Sequence, residues 1–120
     1  MWTFTKHGFY STVAHRQDED CVIVRTRSKQ DAKNLLGALD DYELCRAGET
    51  PTIDRDDKAD YPFRVHLRRV TWAEYLARTA EEISYDNFKS MVDREFGHKR
   101  HDVYTDIWWA LGGYGAVMVP

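Results

Sequence analysis

Arg64, His66 and Arg68 alternate with Phe63, Val65 and Leu67, and Arg25 and Arg27 alternate with Val24 and Thr26. Alternation with period two is the signature of a β-strand whose successive side chains point to opposite faces. If Tyr61, Phe63, Val65 and Leu67 face a core together with Val22, Val24 and Thr26, then four guanidiniums and one imidazole share the opposite sheet surface. Guanidiniums offer planar paired donors to carboxylates and phosphates, so such a surface suits an acidic protein partner or a nucleic acid. Exposed strand arginines also pair readily with neighbouring carboxylates, and Cys21 and Ile23 fall on the same outer side of their strand. That face is therefore expected to be covered in part.

The remaining chemistry-bearing residues fall short of a catalytic set. His98 and His101 flank Lys99 and Arg100 ahead of Asp102, but two imidazoles three residues apart, with no further Cys or His nearby, do not complete a zinc site. A basic loop ending in an Asp102 helix cap is the expectation, with no metal and no cofactor. Asp54-Arg55-Asp56-Asp57 has the acid density of a calcium loop without its central glycine or distal glutamate. His7 and His15 lie near Ser11, yet no nucleophile elbow or orienting acid accompanies them. No glycine-rich phosphate loop or dinucleotide fingerprint occurs. Trp109 stands out because it follows Trp108, and adjacent helical side chains diverge by about 100°. One indole then leaves the core stripe and becomes an interface anchor.

Composition sets the frame for these residues. The chain has 120 residues, 42% hydrophobic and 13% aromatic, enough for one core without staples. Its formal net charge of −3 excludes a generic polyanion binder and leaves only a local basic patch. The first residues, Trp2, Thr3 and Phe4, do not read as a secretory signal, and no apolar run reaches the ~20 residues of a membrane span. Cys21 and Cys45 lack metal-ligand or redox spacing and read as two reduced thiols, which implies a cytoplasmic protein.

The elements that position the basic face follow from periodicity. Trp2 and Phe4 occupy even positions and Phe9 and Val13 odd ones; a change of phase at His7-Gly8 predicts a bulged strand or two short ones. The β-branched run Cys21–Arg27 makes a hairpin with it. Ser28 caps a helix carrying Ala32, Leu35, Leu36 and Leu39. Tyr42–Arg46 is a weak strand, and residues 47–60 form an acidic loop before the strand 61–67. Thr71 and Glu74 form a capping box for a helix with Trp72, Tyr75, Leu76, Ala80 and Ile83 on its apolar stripe. Ser84 caps a further helix, with Phe88, Met91, Val92 and Phe96 inward and Gly97 as its stop, and Asp86 and Asn87 suit its positive end. A last helix over 102–111 ends at Gly112-Gly113, before an apolar tail, residues 114–120. The order β-β-α-β-β-α-α-α predicts a single α+β domain over residues 1–113, its mainly antiparallel sheet covered by helices on one face and ferredoxin-like in part.

The segments WTFTKHGFYS (2–11), DYPFR (60–64), YDNFK (85–89) and HDVY (101–104), with Trp108, resemble a group of small proteins from actinobacteria and their phages. The resemblance implies a shared fold and no particular activity, and the acidic loop and the tail after Gly112 depart from the group's pattern. Together these readings predict a non-enzymatic interaction module that binds a protein partner, in a phage or host regulatory setting, through Arg25, Arg27, Arg64, His66, Arg68 and Trp109. Binding of RNA or single-stranded DNA through the same arginines is the alternative.

Overall fold

The structure, a computed structural model, describes residues 1–118. The chain divides into two compact units, residues 1–83 and a second beginning at Ser84. The first contains β1 (Trp2–Phe4), β2 (Phe9–Ala14), β3 (Cys21–Thr26), α1 (Lys29–Asp41), β4 (Ile53–Arg55), β5 (Phe63–Arg68) and α2 (Arg69–Glu81). The second contains α3 (Phe88–Phe96) and α4 (His98–Met118).

All five strands join in one antiparallel sheet, in the order β1-β2-β3-β5-β4. The α+β class thus holds, with one strand more than expected before the first helix. Strands β3 and β4, joined through α1, have β5 inserted between them, which is a split β-α-β arrangement. The phase change at His7-Gly8 is a tight reversal between β1 and β2, closed by Thr5 N–H donating to the Gly8 carbonyl at 2.9 Å. A Cβ on Gly8 would lie 2.6 Å from Cγ of Asp31, whose carboxylate accepts the Phe9 N–H. Glycine is required there by close approach of the turn to α1.

The β3–β5 register sorts side chains into two sets. Val22 opposes Leu67, Val24 opposes Val65 and Thr26 opposes Phe63. Apart from Phe63, this set is buried, and it packs with Tyr10, Ala32, Leu35, Leu39, Trp72 and Tyr75 into the core. Phe63 is only half-buried, and Arg55 covers its ring at 5.5 Å. Tyr61 precedes β5 and does not continue the alternation. Its ring is buried nonetheless, with the guanidiniums of Arg25 and Arg27 each 4.7 Å from the centroid.

Several local expectations give way to tertiary partners. Ser28 does cap α1, accepting from Asp31 N–H. Tyr42–Arg46 forms no strand: Tyr42 closes α1 and Glu43 takes a positive φ of 55°, so the chain turns away and Ile53–Arg55 becomes the edge strand. Helix α2 begins at Arg69, two residues before the expected Thr71 cap. Glu49 serves that end from the preceding loop, accepting from Arg68 N–H at 3.0 Å and from the Thr71 hydroxyl at 2.7 Å, while Glu74 pairs with Arg46. These bonds outweigh burial and hold the Glu49 carboxyl below its usual range. Ile83 lies past the end of α2 and is exposed.

In the second unit Asn87, not Ser84, caps α3 by accepting Ser90 N–H at 3.0 Å. Met91, Val92 and Tyr104 are its buried centre, joined by Tyr85, Phe88, Phe96 and Ile107. Gly97, with φ 97°, ends α3 as expected, but α4 starts at the very next residue. The segment 98–101 is therefore helix and not loop. Gly112 and Gly113 do not end α4, which runs to Met118; a helical glycine costs about 1 kcal/mol and does not by itself force a stop. Val119 and Pro120 of the expected tail lie outside the described residues.

The two side-chain sets should differ sharply in stability. Leu67→Ala is expected to cost about 2–5 kcal/mol, since it empties a buried site. His66→Ala, on the other face, should stay within about 0.5 kcal/mol. Urea midpoints of the two variants check the difference.

Candidate functional site

The outer face of the sheet is built by the same register that builds the core. Cys21 opposes Arg68, Ile23 opposes His66 and Arg25 opposes Arg64. Extending the last pair through Ser11 to Trp2 on one side and to Asp54 on the other gives a single row across five strands: Trp2, Ser11, Arg25, Arg64, Asp54. Four of the sequence-nominated residues, Arg25, Arg64, His66 and Arg68, thus share one face by register. Arg27 lies just past β3 and joins them through the Tyr61 ring. Trp109 lies on α4 of the second unit and is 68% exposed.

The basic groups differ in how they are engaged. Arg25 donates from Nη2 to the Ser11 hydroxyl at 2.7 Å and from Nε to the Ser11 carbonyl at 3.3 Å. His66 stands 3.5 Å from the Asp54 carboxylate and edge-on to the His15 ring at 5.4 Å. Arg64 has a buried Nε–H with no hydrogen-bond acceptor among the described residues. An open depression of about 420 Å³, lined by Val13, His15, Arg16, Ile23, Arg25 and Arg64, lies over this part of the sheet.

Aromatic rings complete the face, and periodicity alone did not assign them to it. Phe4 stacks on Phe9 with centroids 4.7 Å apart, and Trp2 meets Phe9 edge-on at 5.7 Å, although Trp2 is 69% exposed. Their even positions in the first strand were legible, but pairing with β2 was needed to place them beside the arginines.

The groups that invite a nucleophile mechanism are occupied structurally. Ser11 accepts from Arg25, and His15 Nδ1 accepts the backbone N–H groups of Gln17 and Asp18. His7 Nδ1 lies 2.8 Å from the buried Tyr75 hydroxyl, which is also 3.0 Å from the Thr5 hydroxyl. Beside them Glu82 accepts from Lys6 at 2.8 Å and from the Tyr42 hydroxyl at 2.7 Å. The Lys6 bond holds Glu82 below its usual range, and burial together with Glu82 pushes the Tyr42 phenol well above its own. This network ties the β1–β2 turn to the ends of α1 and α2. Cys21 and Cys45 are unpaired, and burial raises both thiols, the opposite of what activates a cysteine.

The second unit carries a different surface. From Ile107 to Met118 there is no charged residue, and Trp108, Trp109, Leu111, Tyr114, Val117 and Met118 are all exposed. At 100° per residue these side chains spread around the helix instead of forming one stripe. Among the described residues no helix is long and apolar enough to cross a membrane. No family model, curated protein or solved structure matches the chain.

Proposed function

We propose that the chain is an interaction module whose α4 binds a protein partner. The observation that carries this reading is the exposed, uncharged end of that helix, with Val117 81% exposed and Trp109 68%. A helix apolar on all sides belongs in an interior, and exposed apolar surface of this extent marks an interface. Trp108 and Trp109 supply the large aromatic anchors that dominate binding energy when a pocket takes them. The partner presents an apolar groove that accepts a helix. A membrane surface fits less well, because interfacial helices carry basic residues along a polar face and none follows Arg100. The test is a photo-crosslinking residue in place of Trp109 in cells that express the protein, with the same residue at exposed Glu95 as control. A discrete protein adduct from position 109 alone is expected; no adduct, or the same adducts from both positions, contradicts the reading.

A second reading concerns the sheet face, favoured by the exposed Trp2 standing in the same cross-strand row as Arg25 and Arg64. Single-stranded nucleic acids are bound by surfaces that stack bases on aromatic rings and meet phosphates with cations. Labelled oligouridylate and oligothymidylate should bind at low salt, weaken steeply as salt rises, and lose affinity in Trp2→Ala and Arg64→Glu. Absence of binding at low salt removes this reading and leaves the face to acidic proteins.

A further inference from the structure

A compact set of metal-ligating groups forms where α3 meets α4. Asp93 projects from the last turn of α3, and His98 and His101 occupy the first turn of α4, one residue past Gly97. One donor atom from each of the three lies within 4.8 Å of the others. The two imidazole rings are nearly parallel, 13° apart, with centroids 5.6 Å from each other. Asp102 lies behind them, 3.5 Å from Nε2 of His98 and 3.2 Å from Nδ1 of His101.

We propose that Asp93, His98 and His101 bind a borderline divalent cation of the Zn²⁺ class, with Asp102 orienting both imidazoles. Metal-bound histidines commonly donate their second ring N–H to a carboxylate, which fixes the tautomer. Asp102 is placed to accept from Nε2 of His98 and Nδ1 of His101, leaving Nδ1 of His98 and Nε2 of His101 for the ion. Nδ1 of His98 is already the nitrogen facing Asp93, at 2.9 Å. Tetrahedral Zn²⁺ with bonds of about 2.1 Å requires donors about 3.4 Å apart. Closing from 4.8 Å to that spacing needs only side-chain rotation, because Asp93 and His98 are exposed. Two nitrogens and a carboxylate suit zinc, cobalt or nickel ahead of calcium or magnesium, which prefer oxygen ligands. Three protein donors leave a fourth position for water.

This site was hidden in the sequence because the third ligand comes from another helix and the segment of His98 and His101 reads as a loop. The test is calorimetric titration of the chelator-stripped full chain with Zn²⁺, and with Co²⁺ followed by its visible absorption. One ion per chain is expected, with Cys21→Ser and Cys45→Ser leaving the titration unchanged. Asp102→Asn should weaken binding by about 10–100-fold, and Asp93→Asn and His98→Ala by more. Circular dichroism establishes that each variant is folded, and Asp93→Asn preserves shape where His98→Ala does not. Absence of binding, unaltered affinity in folded Asp93→Asn and His98→Ala, or equal binding of Ca²⁺ overturns the proposal.

Discussion

The antiparallel pairing of β3 with β5 is the constraint on which the first unit depends. Six consecutive residue pairs, Cys21–Arg68 through Thr26–Phe63, fix the two strands so that valine, leucine and threonine meet on one side and cysteine, isoleucine, histidine and arginine on the other. A slip of β5 by one residue against β3 would send Val65 and Leu67 outward and bury Arg64 and His66, at the cost of stranding charge in the core. The hydrophobic demand of one face thereby determines the chemistry of the other. Every strand added outward, β2 and β1 on one side and β4 on the other, inherits that alternation. This is how Trp2 and Asp54 come to stand in line with two arginines.

The parts legible in the sequence were those decided locally. Alternation at Val65 and Leu67, the β-branched run of β3, the Ser28 cap and the stripe of α1 all follow from residues within a few positions of one another. The parts that were not legible depend on distant partners. Thr71-Trp72-Ala73-Glu74 has the spacing of a capping box, but the Thr71 hydroxyl donates to Glu49, which also accepts the Arg68 N–H, Glu74 pairs with Arg46, and the helix starts earlier. Tyr61 has the right parity for the core and is buried, yet it lies before β5 with the guanidiniums of Arg25 and Arg27 over its ring. Residues 42–46 carry strand-like side chains, but the left-handed Glu43 turns the chain first. In α4, helix signals at Asp102 and Gly112 were overridden at both ends, by the one-residue corner at Gly97 and by glycines that the helix absorbs.

The candidate sites show the same division. The register rule placed Arg25, Arg64, His66 and Arg68 on one face, but it could not distinguish Arg25, held by Ser11 and Tyr61, from Arg64, whose Nε–H has no acceptor among the described residues. Trp109 was nominated from its angular offset relative to Trp108, whereas the larger feature, a helix end apolar on all sides, appears only once α4 continues through the glycines. The two units thus offer different chemistry: a basic and aromatic sheet in one, an uncharged helix end in the other. Neither unit shows an activated nucleophile among its described residues.

The central claim, that one register creates both a sealed core and a partly exposed sheet face, is tested most directly by methyl NMR with a soluble paramagnetic probe. The account requires strong attenuation of Val13 methyl signals, marked attenuation of Ile23, and little effect on Val22, Val24, Val65 and Leu67. Uniform protection of both sets would mean that the outer face is covered as well, and uniform attenuation would mean that the helices do not seal the inner one; either result would contradict the account.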